Sequence, residues 1–159
     1  MDEIVARSMA RWPNVPAVYG WLRLDRRGNW RIRSASATQG FERVGNAALR
    51  EFIARNYLAD ERGCWFFQNG PQRVFVQLAY TPLVAHYEGE ALLDHCGRPF
   101  SGATLYQDDE GSVLLAGEGG VALLDDRDLA GVAERAQTAP RIRRAEVAQR
   151  FGFVPEPRP

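Results

Sequence analysis

Apolar residues in this chain come in short runs, and almost every run is closed within a few positions by Gly, Asn, Asp or Pro. Such a pattern admits hairpins and short helices and little else. The longest runs, such as Val113-Leu114-Leu115-Ala116, fall far short of the roughly 20 apolar residues that a membrane-crossing helix needs. Val18 to Leu24 is strand-like, Asp25-Arg26-Arg27-Gly28-Asn29 turns, and Trp30-Arg31-Ile32-Arg33 alternates apolar with charged. Period-2 alternation marks a half-buried strand, so 18–33 is expected to be a hairpin. Ser34 to Gly40 is expected to be a loop.

Asn46 to Leu58 has helical spacing. Leu49, Phe52, Ile53 and Tyr57 form one stripe, Asn46 is placed to cap it, and Glu51 and Arg55 pair on the opposite side. Asp60-Glu61-Arg62-Gly63 then turns into Cys64-Trp65-Phe66-Phe67-Gln68, and Asn69-Gly70-Pro71-Gln72 turns into the run Arg73 to Tyr80. Asn-Gly between two β-rich runs is a strong hairpin signal. Pro82 closes that strand, and Leu83 to Tyr87 begins another. Further on, Val113 to Ala116 and Val121 to Leu124 flank a Gly-rich turn. A helix is expected near 127–137, with Asp126 as its cap, and a short one near 144–151, before the Pro-rich tail Pro155-Glu156-Pro157-Arg158-Pro159.

The expected architecture is α+β: antiparallel sheets built from repeated β-hairpins and packed with two or three amphipathic helices. A length of 159 residues suits a single domain that buries roughly 70% of its chain surface. Two similar hairpin-rich halves, about 15–88 and 89–138, are allowed, followed by the helix and tail of 139–159. Three segments share one pattern, an acid, a polar turn, Gly, one residue and a strand: Asp25 to Ile32, Asp60 to Phe67 and Asp109 to Leu115. Either an internal duplication or hairpin grammar alone produces it.

Net charge is zero but unevenly spread, with +4 over 1–33, −9 over 85–134 and +4 over 135–159. Either the basic ends fold on the acidic middle or the middle forms a separate acidic face. All 20 basic residues are Arg, which a GC-rich bacterial genome explains. The opening Met1-Asp2-Glu3-Ile4-Val5 carries acids where a signal peptide needs bases, and two cysteines are too few for a disulfide framework, so the expected compartment is the cytoplasm.

From Trp30 to Val84 the chain resembles the uncharacterised bacterial families of the DUF1285 type. Gly28-Asn29-Trp30, the Leu49-x-x-Phe52 stripe, Gly63-x-Trp65-Phe66-Phe67, the run Asn69 to Gln72, Val74, Val76 and Pro82-Leu83-Val84 carry that resemblance. It implies a hairpin, helix, hairpin protein with repeated motifs, of the kind regarded as signalling or ligand-sensing modules, and it brings no catalytic residue. The opening from Arg11-Trp12-Pro13 to Gly20-Trp21-Leu22 departs from the pattern, which points to a sister family.

Candidate sites are few. His86, Asp94, His95 and Cys96 are the one group resembling chemistry: His86 as base and Cys96 as nucleophile would make a cysteine-dependent enzyme, against a loop His and a small buried Cys. The group lacks the paired spacing of a metal site, and no cofactor motif occurs. Asp108-Asp109-Glu110 has oxygen ligands for a cation but sits where a turn belongs. The first hairpin interleaves Trp21, Arg23, Arg26, Arg27, Trp30, Arg31 and Arg33, a weak nucleic-acid pattern. A neutral chain with pI near 6.7 gives that partner no whole-protein support. The favoured surface is the second hairpin: Asn69, Gln72, Arg73, Phe75 and Tyr80, where aromatics on both strand faces mean either a sheet covered on both sides or a patch open to a partner. The expected function is thus a non-catalytic binding or regulatory module that engages a protein or small-molecule ligand.

Overall fold

A computed structural model describes residues 1–35, 40–101 and 104–159. The chain divides into two compact units. The first comprises Met1–Asp25, Asn29–Ala79 and Val154–Pro159; the second comprises Arg26–Gly28 and Tyr80–Phe153. The fold is α+β, and no helix among the described residues is long and apolar enough to cross a membrane. Of the expected loop Ser34 to Gly40, residues 36–39 lie outside the described residues; Ser34 N–H donates to Gly40 O and closes it.

In the first unit, helix α1 (Glu3–Arg11) precedes strands β1 (Val18–Leu24), β2 (Trp30–Arg33) and β3 (Phe41–Arg43). Helix α2 (Ala47–Arg55) then leads to β4 (Tyr57–Ala59), β5 (Trp65–Asn69) and β6 (Gln72–Leu78). The sheet order is β3-β2-β1-β6-β5-β4. Asn46 caps α2 as expected, accepting the Leu49 N–H. The helix ends three residues earlier than its apolar stripe suggests. Asn56 is fully buried; its Nδ2 donates to Phe52 O, and its Oδ1 accepts the Asp2 N–H at 2.7 Å. A side chain bonded to the carbonyl four residues back competes with helix continuation. Tyr57 therefore leaves the helix and lies in β4 opposite Phe67, with Trp30 edge-on to its ring and Trp65 tilted against it.

The second unit holds β7 (Leu83–Glu88), β8 (Ala91–Asp94), β9 (Thr104–Asp108), β10 (Val113–Gly117) and β11 (Gly120–Leu124). A 3₁₀ segment (Asp126–Val132), α3 (Ala133–Thr138), β12 (Arg141–Ile142) and α4 (Arg144–Phe151) complete it. The order is β12-β9-β10-β11-β7-β8. Asp125, one residue before the expected cap, accepts the Arg127 N–H.

The sheets are mixed, which corrects the expectation of antiparallel ones. β1 lies parallel to β6, β7 to β11, and β9 to β12. Each unit uses the same wiring. A first strand turns into a hairpin, a later three-strand meander returns, and its last strand docks parallel to the first. At the second of these joins β11 is buried on both faces, and Val121-Ala122-Leu123-Leu124 is correspondingly a continuous apolar run.

Four turns share one construction: Asp25–Asn29, Asp60–Cys64, Asp94–Arg98 and Asp108–Ser112. In each, the Asp N–H donates to the carbonyl four residues on, and the Asp Oδ1 accepts the N–H returned by that same residue. The Gly at the fourth position has φ of 80° at Gly28, Gly63 and Gly97 and 85° at Gly111. This is the three-residue hairpin loop closed by a left-handed Gly. The sequence pattern found three of the four and misplaced one acid, since Asp108 rather than Asp109 carries the third.

A candidate ligand groove

Strand β1 does not run smoothly beside β6. Val18 pairs with Val74 and Leu22 with Val76, so four steps on β1 face two on β6, and the chain bulges over Tyr19–Trp21. Gly20 supplies the positive φ of 78°, and Arg33 Nε holds its carbonyl at 2.9 Å. A bulge re-aims the side chains that follow it. Here Trp21 swings to the rim of a groove beside α2, while Tyr19 stacks on Phe75 with ring centroids 4.7 Å apart.

The groove measures about 550 Å³ and is lined by Val18, Trp21, Leu22, Ile32, Leu49, Ile53, Phe67, Asn69, Gln72 and Val74. Its floor is core: Leu22, Ile53 and Phe67 are almost wholly buried. Its rim is open, with Trp21 53% exposed, Ile32 38% and Leu49 39%. Among the described residues, no ionisable side chain lines it. The polar groups are Asn69 and Gln72, paired across the β5–β6 turn at one end. That turn is built on Gly70-Pro71 rather than Asn-Gly. Gly70 has φ 57°, and Pro cannot follow it at positive φ, so Gly occupies the first central position of a II′ turn.

Of the five residues expected at the binding surface, the structure brings Asn69 and Gln72 together. Arg73 lies on the other sheet face, with its guanidinium 3.8 Å from the Phe66 ring centre. Phe75 is buried in a cluster with Cys64 and Phe66. Tyr80 belongs to the second unit, where its hydroxyl donates to Asp108 Oδ2 at 2.7 Å and the guanidiniums of Arg26 and Arg144 stand 5.1 and 4.8 Å from its ring centre. Burial, reinforced by the bond to Asp108, holds that phenol well above its ordinary range. The rim residues Trp21, Ile32 and Leu49 were missed because apolar residues at strand and helix spacing look like core. Gly20 inside a strand was the available signal, since interior Gly marks bulges.

The Cys96 group is arranged against nucleophilic chemistry. Cys96 is a turn residue whose N–H donates to Asp94 Oδ1, and burial, then the Asp94 charge, pushes its thiol up to about 12. A nucleophilic thiol requires the opposite shift. His95 Nδ1 accepts the Val84 N–H, and His86 Nε2 lies 3.2 Å from Glu88 Oε1. The acids Asp108, Asp109 and Glu110 are occupied within the turn or with Arg144. Among the described residues, no three such side chains are grouped to hold a metal.

The architecture is that of the DUF1285 proteins, as the residues from Trp30 to Val84 suggest. A DUF1285 family protein from Silicibacter pomeroyi DSS-3 superposes with a TM-score of 0.51 at 16% identity, covering 84% of each chain. A DUF1285 family protein from Shewanella baltica OS155 gives the same TM-score and identity over 71% of this chain and 90% of its own. At that identity the likeness is one of fold. No curated protein matches the chain. The DUF2944 family model, described as a protein of unknown function (DUF2946), matches residues 1–158, and the chain belongs to that family.

Proposed function

We propose that this protein is a non-catalytic binding module, and that the groove beside α2 takes a small, largely apolar ligand with one uncharged polar end. The observation that carries this reading is the lining itself. A cleft of about 550 Å³ with an apolar floor, an exposed Trp21-Ile32-Leu49 rim and a single amide pair has the size and composition of a small-molecule site. Among the described residues an anionic head would meet no cation there, so Asn69 and Gln72 favour an amide or hydroxyl. We place the module in the bacterial cytoplasm, a reading that the two free thiols, Cys64 and Cys96, support.

The test is a titration with decanol, decanamide and decanoate, followed by tryptophan emission and repeated with Trp21→Phe to assign the signal. Decanamide and decanol should blue-shift Trp21 and bind more tightly than decanoate, and Ile32→Glu should abolish the shift. Equal binding to Ile32→Glu, or no binding of any of the three, overturns the assignment.

A further inference from the structure

The opposite face of the same sheet carries a different kind of surface, independent of the groove. Arg23 on β1 is directly opposite Arg31 on β2, which is directly opposite Arg43 on β3. Adjacent strands lie about 4.8 Å apart, so three arginines stand in one line across the sheet. Like charges placed directly opposite one another destabilise a sheet. The acid that meets this row is Asp25, 3.0 Å from Arg31 Nε; Arg23 and Arg43 are exposed and have no acidic partner among the described residues. Beside the row, Arg33 pairs across the ladder with Phe41. The guanidiniums of Arg33 and Arg23 lie 5.2 and 6.0 Å from that ring's centre.

We propose that this β1–β2–β3 face binds single-stranded nucleic acid. Folding gains nothing from leaving Arg23 and Arg43 without an acid on either side of Arg31, whereas a phosphodiester chain laid across the strands neutralises them. Phosphate alone does not explain Phe41. Guanidinium planes gathered on an aromatic ring form a stacking platform that a splayed base can extend, and the carboxylates of an acidic peptide supply no aromatic ring to stack there. The neutral overall charge stands, but β1 and β3 bring Arg23, Arg43 and Phe41 to the face of Arg31 and Arg33.

The experiment is fluorescence anisotropy of a labelled oligo(dT) of about twenty nucleotides with the full chain, across a salt series. Each neutralised phosphate on a single strand contributes about −0.7 to the slope of log affinity against log salt. Three or four arginine contacts predict a slope of about −2 to −3, which at the upper end is on the order of a 50-fold loss between about 50 and 200 mM salt. The exposed double variant Arg23→Gln/Arg43→Gln should flatten the slope by about 1.4 while leaving the circular dichroism spectrum unchanged. Phe41→Leu should weaken binding at all salt concentrations without altering the slope. Undetectable binding at low salt, or an unchanged slope in the folded double variant, overturns the proposal. Equal competition by polyglutamate overturns the choice of nucleic acid and assigns the face to an acidic protein segment.

Discussion

Replacing Asp108 with Ala removes the acceptor for three donors at once. Its Oδ1 takes the N–H groups of Glu110 and Ser112 at 2.9 and 2.8 Å, and its Oδ2 takes the Tyr80 hydroxyl at 2.7 Å. The two N–H groups lie in a partly open turn where water can replace the carboxylate, so each loss costs about 1 kcal/mol. The Tyr80 hydroxyl is buried and loses a charged acceptor, which costs a further 1–3 kcal/mol or so. The expected destabilisation is about 3–5 kcal/mol, or a melting-temperature drop on the order of 10 °C. Asp60→Ala is the internal control. It breaks the same two turn bonds, from Arg62 and Cys64, and a long, exposed contact from Arg62 Nε at 3.3 Å that contributes little, with no buried hydroxyl involved, and should cost about 2 kcal/mol. Urea unfolding followed by circular dichroism measures both, and Tyr80→Phe with the double variant closes the cycle. If Asp108→Ala and Asp60→Ala destabilise equally, the Tyr80–Asp108 bond contributes no net stability and the reasoning fails.

Two further outcomes follow from the same turns. In Gly28→Ala the new Cβ sits at φ 80° and 2.6 Å from His95 Cβ, whereas in Gly111→Ala it sits at φ 85° in open space. The second should lose about 1–2 kcal/mol from backbone strain and the first clearly more, since His95 Cβ cannot swing away. Matching unfolding midpoints for the two variants would show that the His95 contact yields freely. Cys96, with its thiol near 12, should react with a disulfide reagent at pH 8 far more slowly in the native protein than in urea, and faster as pH rises. A fast native phase at pH 8 that disappears in Cys96→Ser would contradict the burial argument.

What the sequence discloses here is local, and what it conceals is the pairing of distant strands. The hairpin from Val18 to Arg33, the cap at Asn46, the strand from Leu83 and the helix near 144–151 rest on residues within a few positions of one another, and they stand. The parallel joins do not announce themselves, because nothing in Leu22 names Val76 as its neighbour. Helix α1 went unread because its inward face, Val5, Ser8 and Met9, spans little more than one turn and includes a serine. β12 is a two-residue edge strand outside β9. For the groove, Asn69 and Gln72 were legible as polar residues beside an aromatic hairpin. Phe75 and Tyr80 were not separable from them in sequence, since a buried aromatic and an exposed one are spelt alike. Trp21 owes its position to a two-residue register shift that only the paired strand reveals.

The threading of the first unit bears on the order in which this protein is made. Its sheet is split down the middle by the β1–β6 join, so β1 must wait for β6 to emerge before its inner edge is covered. Completion takes longer still. Leu78 N–H donates to Pro155 O, Val154 N–H donates to Gly63 O, and Val154 packs against the Cys64-Phe66-Phe75 cluster. The whole of 80–153 is translated before those residues exist. The unit that a ribosome begins first is therefore the one it finishes last, and until Val154 arrives its aromatic cluster is missing part of its cover. A nascent chain halted anywhere in the second unit should expose that cluster to chaperones, and release of the final segment should shed them.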